Sequence, residues 1–219
     1  MMKLAIFNLD GTLLDTAADL GDSCNFALRQ CGFPEHPLDE YYQMVGRGIY
    51  NLFRAAMPEE KVTEDNVQRM AGYFLPYYDA HKCDLTRPYD GIPEMFKKLS
   101  ESGVRFAVAS NKYQDGAEKL IAHFFGEYAF VRVLGQRDGQ PIKPDPEIVN
   151  QILAAAPGVT KEDTVYVGDS NVDMQTGLNA GVRTIGVTWG FRTREELAAY
   201  SPFALADSPA ELTALILSR

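Results

Sequence analysis

Four short polar clusters in the sequence carry side chains suited to phosphate and a divalent cation. The first is Asn8-Leu9-Asp10-Gly11-Thr12-Leu13-Leu14-Asp15, directly after the apolar run Leu4-Ala5-Ile6-Phe7. Asn8 and Asp10 are two residues apart, so on a strand they face the same side, and Gly11 lets the chain turn sharply. The second is Ser110-Asn111-Lys112, after the apolar residues 104–109; the third is Lys143-Pro144, in a turn-rich stretch at 135–146. The fourth is Gly168-Asp169-Ser170-Asn171-Val172-Asp173, after residues 164–167. Carboxylates suit a hard cation such as Mg²⁺, a hydroxyl and a lysine suit phosphate oxygens, and N–H groups at helix starts favour anions. That is the inventory phosphoryl transfer needs. Singly, each cluster has a plain structural alternative: Asp-Gly-Thr is a common turn, Ser110 and Asp169 suit helix N-caps, and Lys-Pro suits a solvated loop. Four of them in order, each just past an apolar run, point to one site, because open parallel sheets bind ligands beyond the carboxyl ends of their strands.

The elements that must position these clusters follow from periodicity. Short apolar runs at 4–7, 104–109, 130–134, 164–167 and 184–187 predict buried strands, and amphipathic stretches at 93–102, 114–125, 146–156 and 172–180 predict helices between the later ones. Strands alternating with helices imply βαβ units and a parallel sheet covered on both faces. Residues 15–82 break that rhythm: they carry helical patterns at 17–30, 38–45, 49–56 and 64–81 and no convincing strand. Cys83 to Gly91 is rich in turn residues, as a hinge would be, and Ile92-Pro93 starts the next helix. The expected organisation is an α/β core of residues 1–14 and 85–219, with an all-helical insert at 15–84.

Composition narrows the function classes. In 219 residues, 21 Lys and Arg stand against 30 Asp and Glu, a formal charge of −9. Such acidity speaks against a sequence-independent grip on nucleic acid or an anionic membrane, both of which need clustered cations. Cys24, Cys31 and Cys83 lack metal-ligand or disulfide spacing. No window reaches the length of a membrane span, and the N-terminal apolar run is too short for a signal peptide. The expected location is cytoplasmic, as a monomer or homodimer. His36, His81 and His123 are widely separated and read as structural. Tyr73, Phe74, Tyr77 and Tyr78 have the spacing of core or cap packing first and of a partner surface second, Trp189 is expected to pack near a strand end, and Arg192, Arg194 and Glu195 read as a solvated helix start.

The ordered set Asn-x-Asp-Gly-Thr-x-x-Asp, Ser, Lys and Gly-Asp-x-x-x-Asp resembles the haloacid dehalogenase superfamily of Mg²⁺-dependent phosphohydrolases over essentially the whole chain. The resemblance implies a Rossmann-like parallel sheet core and a helical cap at residues 15–84. Val45-Gly46-Arg47-Gly48 and Pro88-Tyr89-Asp90-Gly91-Ile92-Pro93-Glu94 are most similar to phosphoglycolate-phosphatase-like members. By the same resemblance Asp10 is the acid/base and lends Mg²⁺ its backbone carbonyl. Asp169 is then the direct metal carboxylate, Asp173 an outer-shell partner, and Ser110 and Lys143 hold the phosphoryl oxygens. Gly11, Thr12, Gly46, Arg47, Gly48, Asn111 and Lys112 are expected to bind substrate, with Arg47 placed to pair with a substrate carboxylate; a solvated surface arginine is its plain alternative, as an exposed lysine is for Lys112. Asp10 and Thr12 favour a phosphatase over a dehalogenase or a mutase.

One position departs from the family pattern. Its nucleophile, which also ligates the metal, is an Asp; here the residue is Asn8. A carboxamide is a poor nucleophile and carries no charge, so the chain as written is expected to be inactive or severely impaired. An engineered substitution, a natural loss or redirection of activity, and an enzyme restored by deamidation are the three origins open at this point. Two other functions compete with a small-metabolite phosphatase: a phosphometabolite-binding pseudoenzyme and a sugar-phosphate mutase.

Overall fold

A computed structural model describes residues 1–218. In chain order its strands are β1 (Leu4–Phe7), β2 (Leu14–Asp15), β3 (Arg87–Pro88), β4 (Arg105–Tyr113), β5 (Phe130–Gln136), β6 (Thr164–Gly168), β7 (Arg183–Val187) and β8 (Ala204–Ala206). Its helices are α1 (Ala17–Cys31), α2 (Leu38–Met44), α3 (Ile49–Ala56), α4 (Glu64–His81), α5 (Ile92–Glu101), α6 (Gln114–Phe125), α7 (Glu147–Ala154), α8 (Asn171–Ala180), α9 (Arg194–Ala198) and α10 (Pro209–Leu217).

Six strands form one sheet in the order β5-β4-β1-β6-β7-β8, and every neighbouring pair is parallel. β1 lies centrally, with Leu4 to Phe7 in register against Arg105 to Val108 on one side and Thr164 to Val167 on the other. Its residues alternate between two cores. Ala5 and Phe7 join the cluster that α5, α6 and α10 cover, while Leu4 and Ile6 join the one under α7 and α8. A strand buried on both faces reads as a continuous apolar run, which is why β1 and β6 are visible in the sequence.

Helices α1 to α4 build most of a third cluster, which includes Leu20, Leu28, Tyr41, Phe53, Phe74 and Tyr78 and is joined by Phe191 from the loop after β7. The chain leaves the sheet through β2 and returns through β3, and these two short strands pair antiparallel, Leu14 with Pro88 and Asp15 with Arg87.

Three features differ from the sequence reading. Ser110-Asn111-Lys112 does not follow its strand: β4 runs to Tyr113, so the cluster occupies the strand's last residues. The sequence pattern identifies neither β8 nor α10: three residues carry too little periodicity to read as a strand, and Pro209–Leu217 is apolar nearly all round, so it shows no helical stripe. Arg192 is not a solvated helix start; it is half-buried and its guanidinium reaches carbonyls of α2 and the residue after it.

Candidate active site

All four polar clusters meet at the carboxyl ends of β1, β4 and β6. Asn8 stands one residue past β1 and is buried. Its Oδ1 accepts from Lys143 Nζ at 3.0 Å. Its Nδ2 donates to the Asp10 carbonyl at 3.0 Å and to Asp169 Oδ1 at 3.2 Å, and lies 3.4 Å from Asp173 Oδ2. The orientation follows from charge: an ammonium faces the carboxamide oxygen, and three oxygens surround the NH₂ group.

Lys143 is held by Asp173 Oδ1 at 2.7 Å and by the Tyr166 hydroxyl at 3.0 Å, all three side chains being buried. Asp173 is fixed in turn by the start of α8, where the Ser170 N–H and hydroxyl both donate to its Oδ2 in a capping box. Asp169, in the turn after β6, accepts from the Thr12 hydroxyl at 2.7 Å and from the Phe191 N–H at 2.9 Å. Burial, and the nearby Asp173 charge, push its carboxyl up to about 6. Gly11 adopts φ +79°, and a Cβ there would lie 2.2 Å from Asp169 Oδ2, so no other residue fits this turn.

Asp10 is paired with Lys112, whose Nζ donates to both carboxylate oxygens at 3.0 and 3.2 Å, and Asp10 Oδ1 also accepts from the Thr16 hydroxyl at 2.8 Å. Lys112 is only 4% exposed, which removes the solvated-lysine alternative, and its ammonium lies 4.8 Å from the centre of the Tyr78 ring on α4. Ser110 accepts from the Lys112 N–H at 3.1 Å. The Asn111 side chain bridges Lys143, through that residue's N–H and carbonyl, to the Gly46 carbonyl.

Asn8, Asp10, Ser110, Asn111 and Lys112 form the floor of a pocket roofed by Leu20, Val45, Ile49 and Leu52 with Gly46 and Gly48. Gly48, at φ +81°, lies in the left-handed region where a side chain strains the backbone, and a Cβ there would also crowd the Asn111 carbonyl at 3.3 Å. Arg47 does not join its neighbours here; it is exposed and lines a separate outer cleft with Asn171 and Arg192. His36 bonds Glu40 and the Ala56 carbonyl, and His81 bonds Asp84, both away from this pocket.

Thr16, Tyr166 and Phe191 were missed by sequence reasoning. Tyr166 sits inside an apolar strand and Phe191 acts through its backbone, so neither leaves a signal; Thr16 lies beside the first cluster and follows Asp15, which could have drawn attention to it.

The donor set bears on whether a metal fits. Among the described residues no three His, Cys, Asp or Glu side chains converge as a metal cage. What converges is two carboxylates and a main-chain carbonyl around one point, now faced by the Asn8 NH₂. Oxygen-only donors fit a hard cation. An NH₂ group cannot ligate, so position 8 supplies no oxygen there in this orientation.

The model of haloacid dehalogenase-like hydrolases matches residues 5–187. A phosphoglycolate phosphatase from Agrobacterium fabrum is 31% identical over 221 residues, covering 100% of this chain and 94% of that protein. Another, from Haemophilus influenzae, is 29% identical and covers 98% of each chain. A solved structure from Lactobacillus delbrueckii subsp. bulgaricus, provisionally named a phosphoglycolate phosphatase, superposes over 100% of both chains with a TM-score of 0.92 at 32% identity. No helix of the described residues is long and apolar enough to cross a membrane. By sequence over most of its length, and by its sheet and site, the chain belongs to the haloacid dehalogenase-like hydrolase family.

Proposed function

We propose that the chain is a Mg²⁺-dependent phosphatase scaffold for small phosphorylated metabolites, with 2-phosphoglycolate as the lead substrate, and that Asn8 blocks its turnover. In this reading residues 15–84 are a cap on a core of residues 1–14 and 85–219. The observation that carries the proposal is the convergence of Lys143, the Asp10 carbonyl, Asp169 and Asp173 on the side chain of residue 8.

The roles follow from that geometry. With an aspartate at position 8, one carboxylate oxygen would face Lys143 and the phosphoryl group, and the other would face Asp169 and the Asp10 carbonyl. Asp169, the Asp10 carbonyl and residue 8 would hold Mg²⁺, with Asp173 behind them. The cation would offset phosphate charge beside three carboxylates. The carboxylate oxygen facing the phosphoryl group then attacks phosphorus while the ester P–O bond breaks; Asp10, which takes up a proton from solvent once Lys112 turns from it to the substrate, delivers that proton to the departing alkoxide. Asp10 next takes a proton from water, which attacks phosphorus and returns the free carboxylate at position 8 and inorganic phosphate. Ser110 and Lys143 steady the phosphoryl oxygens. Lys112 and the pocket roof supply the substrate contacts; Arg47, on the outer cleft, is left without one.

The test compares the chain as written with Asn8→Asp on phosphoglycolate and a panel of phosphate monoesters, with Mg²⁺. Turnover in the Asn8→Asp form should exceed that of the parent by several orders of magnitude, each tenfold being about 1.4 kcal/mol of barrier. No turnover in the Asn8→Asp form overturns the phosphatase reading and leaves ligand binding alone. Equal turnover in both overturns the nucleophile assignment.

A further inference from the structure

The loop after β7, Trp189-Gly190-Phe191-Arg192, touches both the site and the helical cluster. At its site end the Phe191 N–H donates to Asp169 Oδ2 at 2.9 Å. At its other end the Phe191 ring meets Tyr42 edge-on, with centroids 5.4 Å apart. The Arg192 guanidinium donates to the carbonyls of Tyr42, Gln43 and Val45, the last two at 3.1 and 3.0 Å. Asn111 donates to the next carbonyl, that of Gly46, at 3.2 Å. Four carbonyls within five residues are therefore held by two side chains of the sheet domain. They sit at the carboxyl end of α2, where helix carbonyls are unpaired and carry partial negative charge, the place a guanidinium suits best. The gripped segment leads straight into Gly46 and Gly48, which roof the pocket.

We propose that Arg192 is a positioning residue that latches residues 42–46 onto the sheet domain and so sets the Gly46 to Gly48 roof over the site. Arg192 also lines the outer cleft with Arg47, but its donors are spent on carbonyls, which argues against a role as an anion binder there. The kinetic half of this inference rests on the phosphatase reading; the conformational half does not.

The experiment uses Arg192→Met and Arg192→Lys. In the chain as written, hydrogen exchange of residues 41–49 should become at least tenfold faster with Met and less so with Lys, which keeps the charge but cannot span three carbonyls. Trp189, the single tryptophan, whose Nε1–H donates to the Thr12 carbonyl at 3.1 Å, reports loop displacement by its emission. Combined with Asn8→Asp, Arg192→Met should raise KM for phosphoglycolate about tenfold and leave kcat within about threefold, because saturating substrate draws the roof shut again. Unchanged exchange in both variants overturns the latch, as does a fall in kcat at constant KM. If Arg192→Met does not fold, the Lys variant decides by the same exchange and KM readings. Absence of turnover in every Asn8→Asp form overturns the phosphatase reading instead, while exchange still decides the latch.

Discussion

At the scale of single residues the site is a problem of buried charge. Asp169 and Asp173 lie within reach of one carboxamide, and the ammonium beside them, Lys143, bonds Asp173 directly. The Asp169 carboxyl, pushed up to about 6, therefore binds its proton more tightly in the folded chain than in the unfolded one. A group raised in this way leaves stability intact below its ordinary value near 4 and withdraws it as pH rises through about 6. The withdrawal is of order 3 kcal/mol at neutral pH. In metal-free buffer the melting temperature should accordingly fall between pH 4.5 and 7 through this residue, and Asp169→Asn should remove that part of the fall and raise the melting temperature at pH 7. In the Asn8→Asp form Mg²⁺ should raise the melting temperature at pH 7 more than at pH 5, and Asp169→Asn should abolish that shift. Calorimetric scans across pH, with Mg²⁺ and with a chelator, measure both effects. A melting temperature that is flat with pH in the parent and unmoved by Asp169→Asn would show that this carboxylate is already compensated.

The elements show where such chemistry is anchored and how far it is legible in a sequence. β1 and β6 announce themselves as apolar runs, and the polar residues just past them identify most of the pocket floor. Lys112 is a different case: nothing in Ser-Asn-Lys says that the ammonium turns inward onto Asp10, because that depends on packing against Tyr78 from α4. Arg192 is read as solvated for the same reason, its partners being about 150 residues away in the chain. The crossing between sheet and helices is likewise tertiary. Asp19, buried on α1, accepts from the N–H groups of Leu85 and Thr86 and from the Thr86 hydroxyl, beside the β2 and β3 pair. These bonds tie the outgoing and returning strands to one helix. Asp19→Ala leaves two N–H groups without acceptors and should cost about 2–4 kcal/mol. Asp19→Asn, which keeps one acceptor oxygen, should cost less. Urea unfolding of the three forms measures the order, and an Asp19→Ala form as stable as the parent would mean that water replaces the carboxylate at the stem.

For the whole molecule the question is whether helices and sheet melt together. A segment of roughly 70 residues between the paired β2 and β3 carries a loop-closure cost of only about 4 kcal/mol, so connectivity alone does not force a single transition. The packing should, because the helical cluster is completed by Phe191 from the loop after β7 and Arg192 of the same loop grips the end of α2. Two reporters sit on opposite sides of this seam. Cys24 is buried in α1, and burial pushes its thiol up to about 12; Trp189 lies on the loop of the sheet domain. At pH 8 the folded Cys24 is therefore both enclosed and protonated, and a thiol reagent can reach it only through unfolding of the helices. The half-buried Cys31 and Cys83, whose thiols are raised as well, should label slowly in the folded chain. Followed in urea, the Cys24 labelling midpoint should coincide with the Trp189 emission midpoint. Arg192→Met should separate them, with Cys24 exposed at the lower urea concentration. Two midpoints already separate in the parent chain would mean that the helical cluster opens alone, and that the seam contributes less than the interior of either part.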